Sequence, residues 1–356
     1  MNLEYETRLA LPGKGALEAA TLTFLAECGM KVNRANPRQY LARMGSLPEL
    51  EVVFQRAADI PLLVQDGDAT LGITGYDILA EHRGNGDEES DEDDYDDDLI
   101  VLERDLGYGS CRLVVAVPET WIDVSTCADL WHLAGYYSTH KGRGLRIATK
   151  YPALTGQFLR RHGITHCKII SPHGALEAAP LTGVADLIVD LTETGTTLRE
   201  NHLKLLEDGI VLRSQACLIA NVHLLRRHEK ALRLASVMLE LIDARMQARN
   251  RSLLTAYIQS ESVDDIQRIC RQLKSLAAGS EFQVSSSELA GNVKPRWYTL
   301  SGVVQVGGSA SELLETIALL RSAGAVHINV TPLTYRFADK AESVRALRER
   351  LKRISE

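Results

Sequence analysis

The segment from residue 185 to residue 198 reads ADLIVDLTETGTTL, an apolar strand followed at once by acidic, hydroxyl and glycine residues and then by a helix-like run. Gly195 lets the backbone turn and approach a ligand closely. The peptide N–H groups that follow attract an anion, and the hydroxyls of Thr194, Thr196 and Thr197 add donors for phosphate oxygens. This strand-to-helix step therefore predicts a phosphate site.

Two carboxylates beside the turn, Asp190 and Glu193, suit the hydroxyls of a sugar or a metal ion, which a phosphate alone would not require. Together with the threonines they indicate a phosphorylated sugar that carries magnesium. The same residues also have a structural interpretation, in which Thr196 or Thr197 is only the N-cap of the helix. The local pattern leaves both interpretations open.

Strand-like and helix-like segments alternate from the start of the chain, which is the pattern of an α/β fold. Strands are predicted at residues 8–11, 51–54, 69–74, 112–117, 145–149, 167–171, 186–190 and 216–221. Helices are predicted at residues 16–28, from Asp59 onward, and at residues 152–162, 174–181 and 197–207. These steps predict two lobes built on parallel sheets, with ligands bound between the lobes at the carboxyl ends of the strands.

The C-terminal third has its own pattern, which follows a long apolar-striped helix at residues 228–250. Strands are predicted at residues 253–259, 282–286, 298–306 and 326–330, and helices at residues 263–276 and 309–322. The order strand, helix, strand, strand, helix, strand is that of a ferredoxin-like domain. Such a domain often binds a regulatory ligand or mediates assembly, although fold alone does not establish this.

The distribution of charge along the chain limits which ligands it is predicted to bind. Ten of the twelve residues from Asp87 to Asp98 are acidic, against a net charge of -7 for the whole chain, so the remainder is slightly basic. That balance suits small polyanionic substrates and lacks the basic stripe of a nucleic-acid-binding protein. The acidic run at residues 84–98 predicts a solvated loop more strongly than a metal site.

Cysteine and histidine usage predicts no resident metal site. The six cysteines are scattered without a CxxC pair, which indicates reduced thiols of a cytoplasmic protein. His162 and His166 flank the turn at Gly163 and are predicted to be surface residues, not ligands. The N-terminus does not resemble a signal peptide, and the chain has no apolar run long enough to span a bilayer, so no membrane association is predicted.

Seven segments then carry a family resemblance in the expected order. They are LPGKGAL at 11–17, RAADIP at 56–61, GITGYD at 72–77, GSCRL at 109–113, RIATKYP at 146–152, GALEAAP at 174–180, and the segment 186–201. With them the chain resembles the long-form ATP phosphoribosyltransferases, which open histidine biosynthesis. Residues 315–332 resemble the family's last helix and strand, and the C-terminal domain distinguishes the long form from the short form.

The resemblance implies a fold and a division of the chain. The fold class is α/β, with two periplasmic-binding-protein-like lobes on parallel-rich sheets and a C-terminal ferredoxin-like βαββαβ domain. Catalytic lobe I would comprise residues 1–104 with a return segment at about 206–227, and catalytic lobe II residues 105–205. A connecting helix at 228–250 would lead to a regulatory domain at 251–356.

The resemblance also implies the reaction. The adenine N-1 of ATP would attack the anomeric carbon of phosphoribosyl pyrophosphate, and pyrophosphate would leave. Magnesium would be held mainly by the substrate, with no dedicated protein ligands. Histidine would inhibit the enzyme at the C-terminal domains, and the assembly would be a homo-hexamer built from dimers.

Site residues follow from the same resemblance. The residues implied to bind phosphoribosyl pyrophosphate are Asp190, Thr192, Glu193, Thr194, Gly195, Thr196 and Thr197. The catalytic candidates, which would face the ribose hydroxyls or the developing cationic sugar, are Glu177 and Asp190. The residues implied to bind ATP are Lys14, Gly15, Arg56, Gly75, Arg112 and Tyr151, with Tyr151 stacking on adenine and the basic side chains on phosphate oxygens.

Several of these residues have rival structural roles. Glu177 would equally suit the solvated face of a helix, Arg56 would pair with Asp59, and Tyr151 would pack before Pro152. The chain also departs from the family pattern at Ala16, where an arginine is often found, which would leave Lys14 to meet the phosphates alone.

Two other functions stay open at this point. One is a two-lobed ligand-binding or sensor protein without catalysis, although the chain lacks a signal peptide and has the complete threonine loop. The other is a regulatory paralogue that has lost turnover, an interpretation that depends on Ala16.

Overall fold

The computed structural model describes residues 6–36, 38–84, 98–172, 175–260, 263–276, 281–286, 296–305, 310–339 and 341–353. The predicted acidic loop lies outside these ranges except for its first and last residues. The chain forms two compact units, one of Met1–Leu239 with Glu342–Glu356 and the other of Glu240–Ala341.

The first unit contains two β-sheets. Its strands in the described ranges are β1 (Thr7–Pro12), β2 (Val32–Asn33), β3 (Leu41–Met44), β4 (Leu50–Gln55), β5 (Leu71–Gly75), β6 (Leu99–Glu103), β7 (Cys111–Pro118), β8 (Leu145–Thr149), β9 (Cys167–Ile170), β10 (Leu187–Thr192), β11 (Leu203–Ser214) and β12 (Ala216–Asn221). The first sheet has the order β2-β3-β4-β1-β5-β12-β6 and the second the order β11-β7-β10-β8-β9.

Each sheet has three neighbouring parallel strands. These are β4, β1 and β5 in the first sheet and β10, β8 and β9 in the second. The other pairs, such as β12 with β5 and β7 with β10, are antiparallel. Because parallel strands end at the same edge, the loops that follow them are collected at one side of each sheet.

Helices cover the sheets and connect their strands. They are α1 (Ala16–Glu27), α2 (Ile60–Gln65), α3 (Tyr76–Arg83), α4 (Cys127–Lys141), α5 (Pro152–Arg161), α6 (Thr196–Glu200), α7 (Val222–Arg227) and α8 (Glu229–Ala248). Local signals explain α4 well, since Thr126 and Asp129 form a capping box at its start and Gly142 ends it in the left-handed conformation. Within the described ranges, none of the helices has both the length and the apolar character needed to cross a membrane.

The second sheet has a core on each face. Leu187 and Val189 of β10 pack with Leu130 and Phe158 on one side, whereas Ile188 packs with Leu176 on the other. This alternation follows from the two-residue period of a strand. It places Asp190 on the side of Ile188 and Leu176.

The second unit carries the predicted ferredoxin-like pattern. It contains β13 (Arg251–Ser260), α9 (Val263–Leu276), β14 (Glu281–Ser286), β15 (Arg296–Gln305), α10 (Ala310–Ser322) and β16 (Ala325–Pro332). The sheet has the order β14-β15-β13-β16, and alternate residues of β13 are buried, among them Leu254, Ala256 and Ile258. The predicted fold class, two α/β lobes followed by a βαββαβ domain, is confirmed.

Two of the predicted helices are wrong. Of the helix predicted at 174–181, residues 175 and 176 are irregular and residues 177–181 lie in consecutive turns, because Pro180 has no N–H for a helical bond and Gly183 is left-handed. The helix predicted at 197–207 ends at Glu200, and His202 adopts a positive φ of 56° before the chain enters β11. There the strand pairs with β7, so sheet pairing outweighs helical propensity.

The domain boundaries also fall differently in two places. All of β11 belongs to the second sheet, so the chain returns to the first sheet after Ser214, later than residue 206. The last helix, α11 (Glu342–Arg353), was not predicted and groups with the first unit. Its Arg350 Nη1 donates a 2.9 Å hydrogen bond to the Val101 carbonyl of β6.

Candidate active site

The predicted phosphate loop is a tight turn between β10 and α6. Gly195 is left-handed with φ 78°, and its N–H donates a 2.8 Å hydrogen bond to Thr192 Oγ1. The hydroxyls of Thr194 and Thr196 are 2.9 Å apart, and the loop exposes both side chains. The backbone conformation that Gly195 was predicted to supply is therefore the one that closes the loop.

The rival interpretation of the threonines as helix caps is wrong. The N-cap of α6 is Gly195, with no side-chain cap hydrogen bond, and Thr196 and Thr197 are the first residues inside the helix. Because α6 has five residues, its dipole is a minor source of anion attraction. The hydroxyls and the loop N–H groups are the main polar groups available to a ligand.

A cavity of about 250 Å³ opens beside this loop. Its lining residues are Glu177, Asp190, Leu191, Thr192, Glu193, Thr194, Thr196, Thr197 and Leu198. The structure thus brings together both catalytic candidates and all the predicted sugar-phosphate residues except Gly195, which forms the turn. The volume lies just below the roughly 300–1,000 Å³ of small-molecule clefts, which suits a fragment such as a ribose phosphate.

Asp190 of β10 and Glu177 of the turns after Leu176 line the cavity from the same face of the second sheet. The strand period puts Asp190 on the side of Leu176, and Glu177 follows directly in the turns beyond it. Burial raises the pKa of Asp190 above its ordinary value, and the Glu177 carboxylate raises it further, whereas the Leu191 N–H and Lys150 act in the opposite direction. Glu177 is half-buried in this cavity, not placed on a solvated helix face.

Four of the predicted ATP-binding residues lie at the carboxyl ends of the parallel strands of the first sheet. Lys14 and Gly15 follow β1, Arg56 follows β4, and Gly75 ends β5. The Gly13 N–H donates to the Gln55 carbonyl at 2.7 Å, which connects the loop after β1 to the end of β4. Lys14 and Arg56 are exposed, and the ion pairs of the described residues do not include one between Arg56 and Asp59.

The other two predicted ATP-binding residues lie on the second sheet. Arg112 of β7 pairs directly with Thr192 of β10. Because paired residues lie on the same face of a sheet, the Arg112 side chain lies on the same face of the second sheet as Thr192. Tyr151 follows β8, and its hydroxyl donates to Asp77 Oδ2 at 2.7 Å. Its ring packs against the core that contains Phe158, so the rival packing role is observed, and stacking on adenine stays a prediction.

Sequence reasoning missed two residues near the site. Lys150 follows Thr149 at the carboxyl end of β8, beside β10, and its charge acts on Asp190. Asp77 is 4% exposed, and its Oδ1 accepts a 2.6 Å hydrogen bond from Ser214 Oγ. Both residues lie within the quoted motifs, and the available signal was a charged residue within two positions of the end of a buried strand.

A second contact, besides the Tyr151–Asp77 hydrogen bond, joins α3 to the start of α5. The Glu81 carboxylate of α3 accepts from the N–H groups of Ala153 and Leu154, at 2.8 and 2.9 Å. These are first-turn donors of α5, whose own N-cap residue, Tyr151, makes no side-chain cap hydrogen bond. Glu81 therefore caps α5 from a different element.

Comparisons with known proteins show the family of the chain. The model of the HisG family, described as ATP phosphoribosyltransferase, matches residues 56–243. ATP phosphoribosyltransferase 2, chloroplastic, of Arabidopsis thaliana is 35% identical over 94% of this chain and 78% of its own length. The chain belongs to the ATP phosphoribosyltransferase family. The predicted family is confirmed, and with it the predicted enzyme class, a pentosyltransferase of histidine biosynthesis.

Two further similar proteins each match about two thirds of this chain. The ATP phosphoribosyltransferase of Brucella melitensis is 45% identical over 62% of this chain and 94% of its own length. A solved structure titled ATP phosphoribosyl transferase (HisG:HisZ) complex, from Thermotoga maritima, is 28% identical with a TM-score of 0.48, over 67% of this chain and 98% of that one.

Proposed function

We propose that this chain transfers the phosphoribosyl group of phosphoribosyl pyrophosphate to N-1 of ATP and releases pyrophosphate. The observation that carries the proposal is the cavity at the end of β10, which combines loop threonines with the carboxylates of Asp190 and Glu177. A family member with this cavity has both the donors that a 5′-phosphate needs and the acceptors that a ribose needs.

The loop from Glu193 to Thr197 binds the 5′-phosphate in this proposal. The hydroxyls of Thr194, Thr196 and Thr197 donate to its oxygens, and the Gly195 turn keeps side-chain bulk away from the phosphate. The exposure of these hydroxyls supports the assignment, since they are available to a ligand.

Charge stabilisation accounts for the catalytic role of the two carboxylates. As pyrophosphate departs, positive charge develops on the sugar, and fixed carboxylates close to it lower the energy of that state. Asp190 and Glu177 supply this charge. Burial raises the pKa of Asp190 most, and repulsion between the two carboxylates raises it further. A cationic sugar between them would offset that repulsion.

Cationic side chains complete the proposed site. Lys14 and Arg56 on the first sheet, and Arg112 on the second, bind the phosphate oxygens of ATP or of the leaving pyrophosphate. Tyr151 and the glycines Gly15 and Gly75 contribute to the ATP site. Positioning of the two substrates replaces covalent catalysis as the source of rate acceleration.

The donor set of the cavity suits magnesium. Carboxylate and hydroxyl oxygens are the ligands that Mg²⁺ prefers, and this ion usually keeps substrate phosphates and waters as most of its ligands. Asp190 and Glu193 would hold it together with the pyrophosphate. The bound ion would neutralise charge on the leaving group.

Regulation and assembly belong to the same proposal. Histidine binds at the C-terminal domains and inhibits the enzyme, which assembles as a homo-hexamer of dimers. An exposed apolar face of the third sheet, with Leu253, Tyr257 and Trp297 each about 40% exposed, supports burial by another copy. The proposed location is the cytoplasm, which agrees with six cysteines, all within the described ranges, that form no disulfide with one another.

The test is the ultraviolet absorbance change of N-1-ribosylated ATP. The purified full-length chain is mixed with ATP, phosphoribosyl pyrophosphate and Mg²⁺, with pyrophosphatase to remove the product, and the assay is repeated with histidine. A rise in absorbance that histidine suppresses supports both the transfer and its regulation. A rise indifferent to histidine supports the transfer alone.

The absence of any rise, with both substrates still bound in calorimetry, would overturn the proposed activity. That result would favour the paralogue without turnover. An Ala16→Arg variant would then show whether the missing arginine of the first glycine loop is the cause, since Ala16 is exposed at the start of α1.

A further inference from the structure

Three donor side chains of different chemistry meet on the face of the second sheet opposite Glu177. The Cys127 thiol, the His162 ring and the Asp208 carboxylate each have one ligand atom within 4.8 Å of the other two. Cys127 begins α4, His162 follows α5 and Asp208 lies in β11. The phosphoribosyl-transfer site uses none of them.

Cys127 and Asp208 are held together by the backbone. The Cys127 N–H donates to Asp208 Oδ1 at 2.8 Å, and Cys127 Sγ lies 3.7 Å from the Asp208 carbonyl oxygen. The capping box of Thr126 and Asp129 fixes the first turn of α4 and with it the position of the thiol. One carboxylate oxygen of Asp208 is thus anchored, which orients the group without consuming the second oxygen.

Asp208 owes its position to an irregularity of β11. The register of β11 with β7 shifts between Leu205 and Ile210, so the residues between them leave the regular ladder. Such bulges re-aim side chains and occur often beside functional sites. The neighbouring Glu207 N–H donates to the Ser125 carbonyl at 2.9 Å, which holds this part of β11 against the start of α4.

His162 completes the cluster from the solvent side. It is the C-cap residue of α5, and its ring centroid lies 4.4 Å from that of Phe158. Cys127 is 2% exposed, whereas His162 and Asp208 are exposed. The cluster therefore has a buried sulfur and an open, water-facing side.

We propose that Cys127, His162 and Asp208 bind a zinc ion whose fourth ligand is water. Thiolate, imidazole and carboxylate together form a donor set that Zn²⁺ accepts, and three protein ligands with one water is a regular zinc geometry. Ligand atoms of a tetrahedral zinc site are about 3.4–3.6 Å apart, so side-chain rotation at exposed His162 and Asp208 has to close a gap of at most about 1.4 Å.

The bound metal would be structural. It would connect the start of α4 and the end of α5 to the bulge of β11, and so fix two helices to an edge strand of the second sheet. The long sequence separations hid the cluster, and His162 was predicted only as a surface residue.

Cobalt(II) titration of the metal-free full-length protein tests the proposal. The expected result is one equivalent of bound Co²⁺ with a thiolate-to-cobalt charge-transfer band, which Zn²⁺ abolishes by displacement and excess Mg²⁺ does not. Cys127→Ser should lose the band. His162→Ala should weaken binding at least tenfold, whereas His166→Ala, the matched change at another exposed histidine, should bind like the parent protein.

A second variant guards against misfolding at the buried cysteine. Asp208→Asn keeps an oxygen that can accept from the Cys127 N–H but removes the charge, so it should fold and bind Co²⁺ more weakly. Zinc should raise the melting temperature of the parent protein and of His166→Ala, but not of His162→Ala. A parent protein without the charge-transfer band, or equal affinities for His162→Ala and His166→Ala, would overturn the zinc site.

Discussion

The Tyr151 hydroxyl donates a 2.7 Å hydrogen bond to Asp77 Oδ2, and this bond joins the carboxyl ends of the two sheets of the first unit. Ser214 Oγ donates to the other oxygen of Asp77 at 2.6 Å, and it accepts from the Asp77 N–H at 2.8 Å. Burial, together with the Asp77 charge, raises the pKa of Tyr151. The phenol therefore stays protonated and keeps its role as donor.

Removing this hydroxyl should lower stability without removing the ring. Tyr151→Phe leaves a buried carboxylate oxygen without its donor, and we expect a loss of about 1.5–3 kcal/mol, the range for hydrogen bonds to charged groups. Thermal denaturation is the measurement. Tyr136→Phe is the control, since Tyr136 is 51% exposed and stacks on His140. Equal melting temperatures for the two variants would contradict a coupling role for Tyr151.

Two substitutions at Tyr151 distinguish its packing role from the proposed stacking on adenine. Tyr151→Phe retains an aromatic face, whereas Tyr151→Leu does not. If the ring stacks on adenine, the KM for ATP should rise in the leucine variant well above that of the phenylalanine variant. Similar values in the two variants would leave Tyr151 with the structural role alone.

The threonine loop should control the affinity for the sugar phosphate. Thr196→Val and Thr197→Val each remove one donor to a charged group, worth about 1.5–3 kcal/mol, so the KM for phosphoribosyl pyrophosphate should rise roughly 10- to 100-fold. The KM for ATP should change little. Thr165→Val, at an exposed threonine before β9, is the matched control. Unchanged kinetics in the loop variants would refute the phosphate-loop assignment.

Replacing Asp190 by asparagine should lower kcat without lowering the free energy of unfolding at neutral pH. Its native pKa is raised, so between the ordinary and the raised value the native state holds a proton that the unfolded chain has released. The free energy of unfolding therefore falls as the pH rises through that interval. Asp190→Asn should remove this part of the pH dependence, unfold no more easily at neutral pH, and lose roughly 100- to 1,000-fold in kcat, as for other preorganised charge-stabilising groups. A variant that is both less stable and fully active would contradict the assignment.

The pKa of Asp186 is shifted in the opposite direction from that of Asp190. Although burial opposes ionisation, hydrogen bonds from Arg143 and Arg146 hold its pKa well below the ordinary value. Its stabilisation is present above the unfolded-state pKa and is lost as the pH falls toward the native value. Asp186→Asn should cost about 1.5–3 kcal/mol at pH 7 and less in acid. The check is unfolding at both pH values, and an equal loss at each would argue against the ion-pair origin.

The loop and the parallel strands could be predicted because their signals are local. The apolar run of β10, the left-handed Gly195 and the following threonines specify a turn whatever lies around them. The strand β11 was not predicted, since residues 197–207 were assigned to a helix and the segment from Leu203 becomes a strand through its pairing with β7. The same limit applies to Asp77, whose partners Tyr151 and Ser214 are 74 and 137 residues away.

The cap that Glu81 supplies to α5 makes one helix dependent on another part of the chain. The first-turn amides of Ala153 and Leu154 have an acceptor only while α3 stays in place. An opening motion that separates α3 from α5 would give up this cap, at a cost of about 0.5–2 kcal/mol, at the start of the helix that directly follows the RIATKYP motif. We therefore expect α3 and α5 to move together when substrates bind.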